Sequence, residues 1–363
     1  MVYFIFLLIT LIYSYRIGQL ATHYRYSPSA QLFSYFPLII VAVIICGGQY
    51  YVGTDYPSYI RFFNGSGLEH YVNTGEVGFV YSIKSLLYLG IRGNGIYAFF
   101  YFVGFLLLAF FIRGSRLPSQ FIFIFLLLFI GFTGLFNNQL NVIRQAIAIY
   151  IGSMGALEII KRKWMYGIFL IVISSTFHAA AIIYLIFLFS PLVEKLSNSM
   201  LYGLIILGGI SGLVLSSDFL NIILPFLPPT YAWHIEGGAI GEREGLQIIT
   251  KYIFIPLFIF SIKERKKYNL STIHEKLFKW GIIGFSLKIG LLGLTIISRV
   301  SDYWLIFSIF PLFFYLVWLW KSNKQKKIYS HLLMLLIVGF YFIKTCVFPS
   351  FEYKYQSIYQ FYF

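Results

Sequence analysis

The chain alternates long apolar runs with short polar breaks, and that pattern predicts helices that cross a membrane. Residues 121–136 and 328–347 are long, predominantly apolar runs, whereas strands of a membrane β-barrel would alternate over segments of about ten residues. Residues 2–15 read as a short first span without a basic leader or an A-x-A cleavage site, so it is expected to be retained. Arg16, His23 and Arg25 follow it and place the first loop on the cytoplasmic side. Residues 31–46 then cross outward to a polar loop, 47–75.

Runs 77–89 and 96–112 come next and end at Arg113 and Arg116, a basic pair that also favours the cytoplasm. Two full crossings from outside cannot reach it, so either the turn 113–116 breaks the charge rule or, the preferred reading, one run is a half-helix broken at 90–95. Run 121–136 leads out, and 142–158 returns to Lys161, Arg162 and Lys163, which puts Arg144 at the outer end of its helix. The run 164–189 must cross an even number of times. It is expected to be two short or re-entrant helices meeting near 174–178, with His178 toward the outer face or in a midplane cavity. Run 201–215 exits to a loop, 218–245, and 248–262 returns. Run 277–297 exits, Arg299 and Asp302 mark a tight outer turn, 303–320 returns and 328–347 exits again. The expected fold is all-α, a single polytopic membrane domain of about 11–13 helices, some short or re-entrant.

Composition strengthens this reading. Of 363 residues 59% are hydrophobic and 11% charged, with mean hydropathy +0.79, where soluble domains carry about a quarter charged residues. The net charge of +15 suggests nucleic acid until its distribution is seen: the basic residues cluster between apolar runs, as the positive-inside rule requires. Of the 13 acids, Asp55, Glu69, Glu76, Asp218, Glu236, Glu242, Glu244, Asp302 and Glu352 fall on the opposite side. Cys46 and Cys346 lie in or at the ends of apolar runs without ligand spacing and read as small core residues.

Several chemistries lack their residues. There is no G-x-x-x-x-G-K-[ST] or G-x-G-x-x-G loop for a nucleotide and no G-x-S-x-G elbow for a serine nucleophile. The histidines at 23, 70, 178, 234, 274 and 331 are scattered, none paired at i and i+4, so neither a metal nor another cofactor is expected. What remains is an outward set: Asp55, Arg61, Glu76, Arg144, Gln145, His178, Arg299 and Asp302. The loop 218–245 adds Tyr231 and Trp233 and is long enough for a lid with sugar-stacking aromatics. Guanidinium forks suit a diphosphate, and a carboxylate or imidazole can take a proton from a hydroxyl.

Plainer roles fit some of these residues equally. Asp55, before Pro57, suits an Asx turn, and Glu76 suits a helix start. His178 suits a satisfied core position, Arg144 a headgroup anchor, and Arg299 with Asp302 a simple pair.

Five segments share an order and approximate spacing with a known family. They are Val52-Gly53-Thr54-Asp55-Tyr56, Glu76-Val77-Gly78-Phe79, Ile143-Arg144-Gln145-Ala146-Ile147-Ala148, Lys161-Arg162-Lys163 and Phe177-His178-Ala179-Ala180-Ala181. Over roughly residues 45–190 the chain resembles the EpsG family of Wzy-like bacterial surface-polysaccharide polymerases. It departs from the family pattern at Val77, where a proline often stands, and at the small Ala179 after His178.

The resemblance implies a glycosyltransferase with a GT-C-like helical fold in the bacterial cytoplasmic membrane. Its donor and acceptor would be undecaprenyl-diphosphate-linked oligosaccharides, joined on the outer face without a metal, with a chain-length regulator as accessory partner. It implies diphosphate binding by Arg144 with Arg299, and a base among Asp55, Glu76 and His178. A lipid-linked oligosaccharide flippase and an O-antigen ligase are the alternative readings.

Overall fold

A computed structural model describes residues 1–24, 26–214, 251–292, 295–349 and 355–358. Among them the regular structure is helical, apart from one isolated antiparallel bridge between Gln49 and Ser357. Among the described residues five helices are long and apolar enough to cross a membrane: Val2–His23, Asn94–Gly114, Ile143–Ile160, Arg299–Lys321 and Lys324–Val347. Six shorter apolar helices accompany them. This is the all-helical polytopic bundle that the apolar pattern predicts, although the first span runs on to His23 instead of stopping near residue 15.

The chain divides into two compact units, Met1–Leu188 with Leu319–Phe363, and Phe189–Trp318. The first begins with α1 (Val2–His23), α2 (Pro28–Ser34) and α3 (Phe36–Gly47). Two short helices, α4 (Tyr56–Phe63) and α5 (Glu69–Asn73), lead to α6 (Val77–Tyr88) and α7 (Asn94–Gly114). At 1.5 Å per residue α6 is about 18 Å long and cannot span a hydrocarbon core of about 30 Å, while α7 can. Gly90 and Gly93, both at positive φ, make the break between them, within the stretch 90–95 where a break is expected.

After α8 (Ile122–Leu127), a π-helical segment (Leu128–Thr133) and α9 (Leu135–Asn138), the polar stretch 139–142 leads into α10 (Ile143–Ile160). Its antiparallel neighbour α11 (Trp164–Phe177) approaches closely because both faces carry glycine: a Cβ on Gly155 would lie 2.7 Å from the Gly167 carbonyl. The 164–189 run does break where expected. Helix α11 ends at Phe177, His178 is extended (φ −153°, ψ 114°), and a 3-10 helix, Ala179–Phe189, takes over.

The second unit holds α12 (Ser190–Glu194), α13 (Asn198–Val214) and the helices Ile255–Glu264, Thr272–Gly290 and Thr295–Leu305, with most of Ile309–Lys321. Here the expected layout needs correction. The exit helix starts at Thr272, capped by Ser271 accepting from the His274 amide, and stops at Gly290. Arg299 and Asp302 therefore sit inside the helix Thr295–Leu305, not in a tight turn. Asp302 can be buried because Lys288, from the preceding helix, meets its carboxylate at 2.5 Å. A matched pair removes the need to keep the charge in water.

The four acids expected on the cytoplasmic side all meet basic residues: Glu158 pairs with Lys161, Glu194 with Lys276, Glu264 with Lys267 and Glu275 with Arg265. The loop 218–245, with Tyr231 and Trp233, lies outside the described residues.

Candidate functional site

The polar stretch before α10 fixes the surrounding chain through one side chain or carbonyl after another. Asn137 Oδ1 accepts from the Tyr341 hydroxyl at 2.9 Å, and Gln139 Oε1 from Tyr150 at 2.8 Å. The Leu140 carbonyl accepts from Gln49 Nε2 at 3.1 Å. Asn141 Oδ1 accepts from the backbone amide of Asp55 at 2.9 Å and from the Thr54 hydroxyl at 3.4 Å. Gly53 permits this approach: it has φ +82°, and a Cβ there would collide with Asn141. The Gly53-Thr54-Asp55 turn is thus seated directly on the chain that leads to Arg144. Residues 355–358 join the same end, since Tyr50 N–H donates to the Gln356 carbonyl at 3.0 Å.

Arg144 is the second residue of α10, where a cation meets the positive end of the helix dipole. Compensation comes from neighbours. Its Nη1 forms an ion pair with the buried carboxylate of Glu76. Its Nε–H donates to the Tyr59 hydroxyl at 3.3 Å, and its Cζ lies 4.1 Å from the centroid of the Tyr71 ring. The guanidinium is therefore held at an edge, at a corner and on a face. The side chain of Arg144 retains 19% exposure against 7% for Glu76, so the cation is reachable while its counter-ion is enclosed.

Glu76 occupies the N-cap position of α6, yet its side chain makes no capping hydrogen bond there. The helix-start role open to it in the sequence is replaced by the ion pair, formed across 68 positions of sequence. Val77 is the first residue of α6, the position that tolerates proline, so the departure from the family pattern leaves the local hydrogen bonding unchanged. Gly78 then lets α6 press on α11, because a Cβ there would collide with Thr176. That contact carries the chain into Phe177 and His178 just beyond, so the segment 76–79 and the segment 177–181 share one end of the helix pair. His178 itself is partly exposed and ends α11.

Asp55 is half-buried at the N-cap position of α4 and, like Glu76, does not cap with its side chain; the Thr54 hydroxyl lies 3.3 Å from its Oδ1. Burial pushes the Tyr59 phenol up to about 12, with Arg144 pulling the other way. Tyr71 is also raised, first by burial; Arg144 and Arg61 lower it, and Glu76 and Asp55 raise it. All four charged groups thus lie within electrostatic reach of one ring. Both phenols stay protonated at neutral pH and serve as neutral walls to the cation.

The other residues named from the sequence divide. Gln145 is buried beside Arg144. Arg61 is exposed on α4, with its guanidinium 5.7 Å from the Phe62 centroid. Arg299 and Asp302 belong to the second unit, Arg299 exposed and Asp302 engaged by Lys288. Among the described residues no group of three His, Cys, Asp or Glu could hold a metal ion. Sequence reasoning missed Tyr59, Tyr71 and Asn141 as members of the cluster. Tyr59 had a signal, lying one helical turn after Asp55, but tyrosines are common in this chain and no partner was legible.

Fold and cluster define a multi-pass helical membrane protein with a preorganised guanidinium at one end of its first unit. Residues 32–359 match the EpsG family, and the chain belongs to that family. Membership places it among polysaccharide-polymerase-type membrane proteins. The match extends well past the 45–190 region in which the shared segments fall. No curated protein matches the chain, and no solved structure does.

Proposed function

We propose that this protein joins lipid-diphosphate-linked oligosaccharide repeat units into a surface polysaccharide at the outer face of the cytoplasmic membrane. The observation that carries the reading is the Arg144 cluster. Two of the guanidinium's N–H-bearing nitrogens are directed at Tyr59 and Glu76, and its third, Nη2, makes no hydrogen bond to the described residues. An anion placed there meets a cation already fixed in orientation.

In the proposed reaction a hydroxyl of the acceptor glycan attacks the anomeric carbon of the donor. A new glycosidic bond forms, the bond from that carbon to the diphosphate oxygen breaks, and the lipid diphosphate leaves with the bonding electrons. Arg144 stabilises the charge that develops on the leaving diphosphate, and it does so without reorganising, because Glu76, Tyr59 and Tyr71 already orient it. Glu76 is already engaged by the guanidinium, and we assign it to positioning. The proton from the hydroxyl goes to Asp55 or His178, the remaining groups of the cluster region able to accept it. Diphosphate is a good leaving group, so a divalent metal is not needed to activate it.

The test is reconstitution. Purified protein with lipid-diphosphate repeat units as sole substrate should give a ladder of longer glycans and one free lipid diphosphate per unit added. Movement of intact substrate across the bilayer without elongation would favour a transporter and overturn the polymerase reading.

A further inference from the structure

The first unit contains a second feature, with a charged lining at the end of α7 away from Arg144. A cavity of about 300 Å³ lies between α1, α3, α7 and α8, the size range of small-molecule sites. Its walls are apolar and include Phe6, Ile39, Leu108 and Ile122. Two charged side chains line it as well, Arg113 in the last turn of α7 and Arg116 just after it. Both are exposed, and among the described residues neither pairs with a carboxylate. Lys161, whose Nζ would lie 3.5 Å from a Cβ on Gly114, is instead taken up by Glu158.

The backbone adds an independent observation. Arg116 has φ +54°, a left-handed conformation that an arginine adopts only at a cost and for which glycine is the ordinary choice. Its amide donates to the Arg113 carbonyl at 3.1 Å, and the next residue, Leu117, is buried in the cavity wall. The chain therefore keeps an arginine at a left-handed position where glycine is the ordinary choice, as it also does at Arg162, and here that arginine lines the cavity.

We propose that this cavity binds an anionic glycerophospholipid. An acyl chain lies in the apolar part, and the phosphate is held between the Arg113 and Arg116 guanidinium groups, which suit it in geometry and charge. Helices α7 and α10 run side by side, with Gly104 against Tyr150 and Gly114 against Leu157 and Lys161. Arg113 thus lies by the Lys161 end of α10 and Arg144 at the other, about 25 Å apart at 1.5 Å per residue. The lipid belongs to the leaflet next to the basic clusters, where paired arginines between helices recognise acidic headgroups. A polyprenyl carrier serving the Arg144 site would place its diphosphate at the other end, so the proposal is independent of the polymerase reading.

The experiment compares full-length protein in phosphatidylcholine nanodiscs with and without phosphatidylglycerol, reading thermal unfolding and lipid retained after delipidation. Wild type should unfold at a higher temperature with phosphatidylglycerol and retain it. Arg113→Gln/Arg116→Gly should lose the shift and retain on the order of tenfold less. Arg116→Gly alone removes the strain, so in phosphatidylcholine it should be at least as stable as wild type, which separates misfolding from lost binding. A shift equal in wild type and double variant would overturn the proposal. So would a polyprenyl phosphate that binds at these arginines where phosphatidylglycerol does not, or the absence of any retained anionic lipid.

Discussion

The two units each contain a buried cation–carboxylate pair, and the pairs differ in what they leave open. In the first, Arg144 meets Glu76, with the arginine at 19% exposure, an aromatic ring under its face and a hydroxyl at Nε. In the second, Lys288 meets Asp302 at 2.5 Å with both side chains nearly enclosed, at 11% and 9%. A guanidinium can be held on one side and still offer a planar edge, whereas a buried ammonium against a buried carboxylate has nothing comparable to offer. The first arrangement prepares a cation for a ligand; the second pins two helices together. Location inside an apolar segment does not separate them, but what stays exposed on the cation does.

Substitutions at Arg144, Lys288, Gly78 and Tyr71 press on that difference. The largest effect is expected at Arg144: Arg144→Lys keeps the charge and loses the fork, and elongation should fall by roughly 10²-fold. In the same assay Lys288→Met/Asp302→Leu should elongate near the wild-type rate, because replacing a complete buried pair with apolar residues is often neutral; a collapse equal to that of Arg144→Lys would make the two pairs functional alike. Next comes Lys288→Met alone, which strands a buried carboxylate and should lower unfolding stability by about 3–5 kcal/mol in detergent. Smaller still, Gly78→Ala forces α6 from α11 and should cost about 1–3 kcal/mol. Trimming Thr176 to Gly in that background should restore part of it, and no rescue would mean that the two helices are not fitted through this contact. The smallest effect is at Tyr71. Tyr71→Leu removes a ring worth about 0.5–2 kcal/mol to the cation, while Tyr71→Phe keeps it, so only the leucine variant should raise the KM for lipid-linked substrate.

Much of the fold was legible because it rests on length and charge. The break at His178 followed from the requirement that 164–189 return to its starting side, and the break before α7 from the position of Arg113. The second unit was harder. Lys288 lies in an apolar run, and its partner Asp302 belongs to the next helix, so the pair that draws Asp302 inside cannot be seen by reading either segment. The site behaves similarly. Arg144 and Glu76 could each be singled out, but their ion pair crosses 68 positions, and Asn141, which positions Asp55, is an unremarked amide until the structure shows its partner. Tyr59 and Tyr71 enter the site only because α4 and α5 fold over the start of α10, a tertiary fact with no periodicity of its own.

The central claim is that the Arg144 fork binds a diphosphate, and equilibrium binding of free lipid diphosphate to wild type and to Arg144→Lys tests it without relying on turnover. Both proteins would be purified in the same neutral lipid and shown to unfold at similar temperatures, and affinity would be read from tyrosine and tryptophan fluorescence. The arrangement predicts on the order of tenfold weaker binding by the lysine variant, the loss expected when an oriented charge-assisted N–H contact becomes a point charge. Equal affinity in the two proteins would contradict it.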